Sequence, residues 1–262
     1  MRLSSHYALE NKGNLAVGNA LGSNITNIGL VLGSAALISS ISLKRSNAIA
    51  EIPILILTGV LGAYFILDGE LSQLDGGVLL VVLAVYLYWS ANSGQQPPEL
   101  ADLEASHHSE ATMSKLITMT VVSIAILLIA SRALVFGAVS IAEYLGVSDL
   151  VIGLTIVAIG TSLPELAAAI AAARQNAHDM IIGNIIGSNV FNILAVLGIT
   201  GAIQSTQIET AVIWRDFPVM LGITLLMLVF AITKQRFSRM EGAILLGLYL
   251  AYLSYLVVST VN

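Results

Sequence analysis

Long apolar segments follow one another through this chain, and they leave few ways for it to fold. Eight segments are predominantly apolar, and a helix needs about 20 such residues to cross a bilayer. They lie at 15–39, 48–67, 74–91, 116–140, 149–173, 180–203, 211–233 and 240–259. Because lipid offers the backbone no hydrogen bonds, segments of this kind span as helices. We therefore predict an all-α polytopic membrane protein with about eight transmembrane helices.

The composition excludes several classes of protein. Only 10% of the 262 residues are charged, against roughly 25% in ordinary soluble domains. The chain has no cysteine, so thiol catalysis and cysteine-bound metals are excluded. A net charge of −5 gives no basic footprint for nucleic acid. The sequence carries no phosphate-binding loop and no Ser/His/Asp constellation, so we do not expect an enzyme.

Basic residues between the segments predict the orientation. Lys44, Lys115, Arg174 and Lys234 mark four connections that an eight-span chain places on one face. Basic residues near span ends are retained on the cytoplasmic side. The acidic loop 92–114, which separates the third segment from the fourth, is therefore expected in the cytoplasm.

An internal repeat relates the first and sixth segments at an offset of 165 residues. GNALGSNITNIGLVLG at 18–33 matches GNIIGSNVFNILAVLG at 183–198, with ten of sixteen positions identical. Spans one and six cross the membrane in opposite directions, so the repeat is inverted. Inverted repeats are typical of secondary transporters, which bind their substrates where the two copies meet. In each copy Asn, Ser and Asn recur every four residues, which places them on one helix face.

The fifth segment contains VAIGTSLPEL at 157–166, in which polar groups lie close together. Thr161, Ser162 and Glu165 share a helix face, and Pro164 frees the carbonyl of Gly160 because proline has no N–H. Hydroxyl, carboxylate and carbonyl oxygens are the ligands that hard cations such as Ca²⁺ prefer. A carboxylate deep in a bilayer is by default an ion or proton site. Glu165 is therefore the central functional candidate.

These motifs, GTSLPEL at 160–166 and the two copies of the GN..GSN..N repeat, resemble the alpha repeats of the cation/calcium antiporter superfamily. The segment AYFILDGELSQLDGGVLL at 63–80 is similar to the bacterial inner-membrane sodium/calcium branch. The resemblance implies two inverted halves of five helices and exchange of Na⁺ for Ca²⁺ by alternating access. It also implies location in the bacterial inner (plasma) membrane, with transported cations and the lipid bilayer as partners and no cofactor. The sequence does not give the oligomeric state.

The resemblance also implies a set of cation ligands. At the position of Asn192 some members of the superfamily have the carboxylate of Asp, whereas this chain has a neutral amide. The implied ligands are Thr161, Ser162, Glu165 and the Ala158 carbonyl from the fifth segment, Ser188 and Asn192 from the second repeat copy, and Ser23 and Asn27 from the first.

The same offset aligns Met1 with Leu166, so a first GTSLPE block would stand before Met1. On this reading, 1–91 is a partial first half with three spans and about two missing, 92–114 is a loop, and 115–262 is a complete second half with five spans. A single glutamate would leave bound Ca²⁺ partly uncompensated, which is expensive at low dielectric, so we expect impaired Na⁺/Ca²⁺ exchange. The alternatives are an H⁺/Ca²⁺ or K⁺-dependent exchanger of the same fold, or a non-transporting truncated membrane protein.

Overall fold

The computed structural model describes residues 2–43, 45–92 and 113–261, and helix covers almost all of them. The helices are α1 (Arg2–Thr26), α2 (Gly33–Ile38), α3 (Arg45–Ile66), α4 (Gln73–Asn92), α5 (Met113–Tyr144), α6 (Asp149–Ile152), α7 (Ala158–Thr161), α8 (Leu163–Arg174), α9 (His178–Phe191), α10 (Gly198–Ile203), α11 (Phe217–Lys234) and α12 (Arg239–Val261). Four π-helical segments connect or extend them: Asn27–Leu32, Gly153–Val157, Asn192–Leu197 and Val212–Asp216.

Three composite helices matter for the site. We call Arg2–Ile38 the first repeat helix and His178–Ile203 the second repeat helix, since each contains one copy of the repeat. We call Asp149–Thr161 together with Leu163–Arg174 the broken helix, because its two parts meet at an angle of 41°.

Six of the described helices are long and apolar enough to cross a membrane. They are Gly13–Ile38, Gln73–Asn92, Val121–Tyr144, His178–Ile203, Val212–Lys234 and Arg239–Ser259. The broken helix would be a seventh span, and Glu51–Ile66 is a shorter apolar helix. The all-α membrane fold is thus confirmed, whereas the number of eight crossings stays a prediction. Most of the predicted acidic loop, 93–112, lies outside the described residues.

The 165-residue offset relates more of the molecule than the sixteen-residue motif. The π-helical segments Asn27–Leu32 and Asn192–Leu197 differ by this offset at both ends. Two short antiparallel strand pairs are related in nearly the same way, since the strands that begin at Ile41 and Thr206 are 165 residues apart and those that begin at Glu70 and Arg236 are 166 apart. They are β1 (Ile41–Ser42) with β4 (Arg236–Phe237), and β2 (Glu70–Leu71) with β3 (Thr206–Gln207). The chain after each repeat helix therefore pairs with the chain between the last two helices of the other half.

Glycines bring the first repeat helix against the broken helix. A Cβ at Gly22 would stand 2.5 Å from the carbonyl oxygen of Leu154, and one at Gly153 would stand 2.6 Å from that of Leu15. A real Cβ atom would be too close to its neighbour at either position, so the helices can approach this closely only because both residues are glycine, as in small-residue packing of membrane helices. The backbones thus approach closely, and the polar residues beside the glycines reach across the interface.

Candidate functional site

The broken helix changes direction within the GTSLPEL motif. α7 ends at Thr161, Ser162 has φ −89° and ψ 0°, and α8 begins at Leu163 with Pro164 in its first turn. Proline suits this position because the first N–H groups of a helix have no partner within it. The break therefore places Thr161, Ser162 and Glu165 where two helical segments meet.

One expectation about this break is wrong. The carbonyl of Gly160 was predicted to be free for a cation, but it accepts a hydrogen bond from the hydroxyl of Ser131 in α5. Pro164 does withdraw the helical donor. Ser131, 29 positions before Gly160, replaces that donor, so the Gly160 oxygen is not left without a partner.

The hydroxyl of Thr161 lies where the broken helix meets the first repeat helix. Its Oγ1 lies 3.1 Å from the hydroxyl of Ser23 and 3.1 Å from Oδ1 of Asn19. It also lies 3.2 Å from the carbonyl oxygen of Ala158. The hydroxyl of Thr161, itself a predicted cation ligand, is thus within hydrogen-bonding distance of two others, the Ser23 hydroxyl and the Ala158 carbonyl.

Four asparagines join the two repeat helices. Nδ2 of Asn27 donates to Oδ1 of Asn189 at 2.9 Å, and Nδ2 of Asn192 donates to Oδ1 of Asn24 at 3.0 Å. Nδ2 of Asn24 lies 3.2 Å from the Asn189 carbonyl, and Nδ2 of Asn189 lies 3.4 Å from the Asn24 carbonyl. The 165-residue offset converts the first of these side-chain contacts into the second, and the first of the two carbonyl contacts into the other, as expected between copies related by a two-fold axis. We call these four residues the asparagine cluster.

The remaining predicted ligands make fewer contacts. The side chain of Ser162 is buried, and Glu165 has a buried Oε2 without a hydrogen-bond partner among the described residues. Ser188 donates to the carbonyl of Asn184 in its own helix at 2.6 Å. Within the described ranges no hydrogen bond joins Ser188 or Glu165 to the other predicted ligands. The structure therefore groups Thr161 with Ser23 and the Ala158 carbonyl, and separately places Asn27 and Asn192 in the asparagine cluster.

The donor set at these contacts is rich in oxygen and low in charge. In the part of the chain that the structure describes, no three His, Cys, Asp or Glu side chains converge as a metal site. Amide, hydroxyl and carbonyl oxygens with one carboxylate suit hard cations rather than transition metals.

Sequence reasoning did not assign roles to Asn24 and Asn189. Both are at most 1% exposed, and both carry hydrogen bonds between the repeat helices. Each follows directly after the serine of the Asn, Ser, Asn series spaced by four residues. The prediction that this series shares one helix face therefore did not include them. The sequence signal that could have found them is that both positions, 165 residues apart, are asparagine.

Comparison with known proteins decides the family. A model described as "Sodium/calcium exchanger protein" matches residues 3–92 and 115–258. The chain belongs to the sodium/calcium exchanger family.

Similar proteins cover nearly the whole exchanger chain. CaxA of Alkalimonas amylolytica is 41% identical over 98% of this chain and 83% of its own length. Inner membrane protein YrbG of Escherichia coli is 36% identical over 95% of this chain and 79% of its own length. A solved structure of the sodium-calcium exchanger NCX_Mj superimposes with a TM-score of 0.72 at 33% identity, covering 96% of this chain and 80% of that one.

These matches confirm the resemblance that the repeat and GTSLPEL motifs predicted, together with the exchanger fold. Membership makes this exchanger a membrane transporter of the cation/Ca²⁺ antiporter class.

Proposed function

We propose that this protein exchanges Na⁺ for Ca²⁺ by alternating access, and that the cations bind where the broken helix meets the two repeat helices. The observation that carries the proposal is the carboxylate of Glu165, which has a buried oxygen without a partner among the described residues. Leaving a buried charged group unsatisfied is unfavourable, and a bound cation would satisfy it.

Neutral oxygens supply the rest of the proposed site. Thr161, Ser162 and the Ala158 carbonyl come from the broken helix. Ser23 comes from the first repeat helix, and its hydroxyl lies 3.1 Å from that of Thr161. Asn27, Asn192 and Ser188 complete the set from the two repeat helices. Since these oxygens belong to separate helices, movement of the broken helix against the repeat helices would change the coordination of the ion. Such a change is what alternating access requires of a site between two structural repeats.

A single carboxylate favours the binding of one cation at a time. One carboxylate neutralises one Na⁺, whereas it leaves a bound Ca²⁺ with an uncompensated positive charge in a medium where charge is poorly screened. Glu165 is therefore suited to bind Na⁺ and Ca²⁺ in alternation rather than together. Competition of this kind is the basis of antiport.

The proposal can be tested by transport in proteoliposomes. We expect an outward Na⁺ gradient across the liposome membrane to drive uptake of ⁴⁵Ca²⁺, and Glu165→Gln to abolish that uptake because it removes the charge that holds the cation. Glu143→Gln is the matched control, since Glu143 is an exposed carboxylate at the end of α5. Uptake that Glu165→Gln leaves unchanged would refute the proposed site.

The same vesicles identify the coupling ion. We expect no ⁴⁵Ca²⁺ uptake when a pH gradient is imposed without Na⁺, and no requirement for K⁺ when the Na⁺ gradient is present. Uptake driven by the pH gradient alone would assign H⁺ as the coupling ion, and uptake that needs added K⁺ would assign co-transport.

The proposed location is the bacterial inner membrane, with loop 92–114 in the cytoplasm. The relative YrbG is named an inner membrane protein, and basic residues lie in alternate connections as the cytoplasmic side requires.

A further inference from the structure

The amide orientation in the asparagine cluster follows from two backbone carbonyls. The side chain of Asn24 faces the Asn189 carbonyl at 3.2 Å, and a carbonyl oxygen can only accept. The facing atom of Asn24 must therefore be Nδ2, which also lies 3.5 Å from the weak acceptor Sδ of Met220. Oxygen and nitrogen of an amide are otherwise assigned only from their partners. Here the partner is a fixed backbone group, so the assignment is firm.

This orientation passes to the next asparagine. With Nδ2 of Asn24 occupied, its Oδ1 faces Asn192 at 3.0 Å, and only the NH₂ group of Asn192 can donate there. The same steps lead from the Asn24 carbonyl through Asn189 to Asn27, whose Nδ2 donates to Oδ1 of Asn189 at 2.9 Å. We call the side-chain amides of Asn27 and Asn192 the outer amides. In both halves a backbone carbonyl thus determines which end of the outer amide faces the other helix.

Among the described residues, no hydrogen bond from the partner helix reaches Oδ1 of Asn27 or of Asn192. Oδ1 of Asn27 is buried and has no hydrogen-bond partner among the residues that the structure describes. Buried polar atoms normally have a partner, so an unpaired acceptor in this position requires an explanation. A cation would supply one, because amide oxygens are ordinary ligands of hard cations.

We propose that Asn24 and Asn189 are positioning residues that fix the amides of Asn192 and Asn27, so that their oxygens and not their NH₂ groups are presented to the transported cation. This inference rests on the proposed function, in which Asn27 and Asn192 are ligands. Asn24 and Asn189 act through these neighbours. Without Asn24 or Asn189, the neighbouring outer amide could rotate by half a turn. Its NH₂ group would then face the cation and repel it.

Calorimetric titration of Ca²⁺ into the purified chain in detergent tests this role. We expect Asn189→Leu to weaken Ca²⁺ binding about 10- to 100-fold, as loss of an outer partner of a metal ligand commonly does. In an Asn27→Ala background the same substitution should change the affinity by less than about twofold, because its target is gone. Asn24→Leu acts through Asn192, so it should keep its full effect in the Asn27→Ala background.

Thr26→Val is the matched control for the loss of a buried polar group. Thr26 lies in the first repeat helix and is fully buried, but its hydroxyl bonds to the hydroxyl of Tyr249 rather than to the asparagine cluster. We expect this variant to bind Ca²⁺ like the parent chain. If Asn189→Leu weakens binding equally with and without Asn27, Asn189 does not position Asn27.

A second measurement separates this inference from the proposed function. If the parent chain shows no Ca²⁺ binding, the proposed function fails, and the same variants are compared by thermal unfolding in ion-free buffer. We expect non-additive shifts of the melting temperature for Asn189 with Asn27 and for Asn24 with Asn192. Additive shifts for both pairs would overturn the assigned amide orientation.

Discussion

The two copies of the repeat share most of their residues but not their surroundings. In the first repeat helix, Gly18 and Gly22 are buried against the broken helix, where an added Cβ would meet backbone atoms within 2.8 Å. In the second repeat helix, Gly183 and Gly187 would meet nothing within 4 Å among the described residues. The same sequence thus forms a tight interface in one copy and an open face in the other.

The polar residues beside these glycines differ in the same way. Oδ1 of Asn19 accepts from Thr161 and Ser23, whereas Nδ2 of Asn184, at the equivalent position, is buried without a partner among the described residues. Among the described polar residues of the repeat helices, those of the asparagine cluster make equivalent contacts in the two copies, because they contact one another. A repeat therefore specifies which residues face a neighbour, and the neighbour decides what those residues do.

The largest expected difference between the copies concerns their glycines. Gly22→Ala would place a Cβ 2.5 Å from the Leu154 carbonyl oxygen and 2.7 Å from the Ala158 Cβ. Overpacking typically costs 1–3 kcal/mol, and we expect about 3 kcal/mol because a backbone atom is in the way. Circular dichroism of the detergent-solubilised protein should show a melting temperature lower by roughly 6–12 °C.

Gly187→Ala is the matched substitution in the second repeat helix. Since no atom of the described residues lies within 4 Å of the added Cβ, we expect a change in stability within about 0.5 kcal/mol. Equal losses of stability for Gly22→Ala and Gly187→Ala would contradict the difference between the two faces.

Much of the fold could be predicted because its causes are local. Apolar runs long enough to span a bilayer predicted helices, and in the described residues each predicted segment is helical apart from Ser39 and Leu67 at segment ends and Ser162 at the break. The spacing of four residues predicted that Asn19 and Ser23 share a face, and both reach Thr161. In these cases the period of a single helix was sufficient.

The parts that could not be predicted depend on which helices meet. Nothing near Gly160 in the sequence indicates that Ser131 would occupy its carbonyl, because that contact exists only once α5 packs against the break. In the same way Asn24 acquires its role from Asn189, which is 165 residues away in sequence. Propensity and periodicity describe one helix at a time, so pairings between helices escape them.

A smaller difference is expected for the asparagines that lead each polar stripe. Asn19→Leu deprives the hydroxyls of Thr161 and Ser23 of a shared acceptor. Since a net hydrogen bond contributes roughly 0.5–1.5 kcal/mol, we expect a loss of about 1–2 kcal/mol.

Asn184→Leu is the corresponding substitution in the second copy. It removes a buried Nδ2 that has no partner in the described chain, and replacing an unsatisfied polar group by an apolar one is nearly neutral or stabilising. Chemical or thermal unfolding of both variants in ion-free buffer compares them. A larger loss for Asn184→Leu than for Asn19→Leu would mean that the second copy has the more important polar contacts.

The smallest expected difference concerns the two serines, and it separates their structural roles from ion binding. The hydroxyl of Ser23 reaches Thr161 on another helix, whereas that of Ser188 bonds to the Asn184 carbonyl in its own helix. Hydrogen bonds between membrane helices average about 0.6 kcal/mol, so without ions Ser23→Ala should lower the melting temperature by about 1–2 °C. Ser188→Ala should leave it unchanged, because the helix keeps its backbone hydrogen bonds.

Added Na⁺ should make the two serine variants behave alike. If both hydroxyls bind cations, as the proposed function requires, Na⁺ raises the melting temperature of the parent chain by selective binding to the folded state. Both Ser23→Ala and Ser188→Ala should then show a smaller rise than the parent. A full rise in Ser188→Ala would restrict cation binding to the copy that the broken helix covers, and the asymmetry of the packing would extend to the site itself.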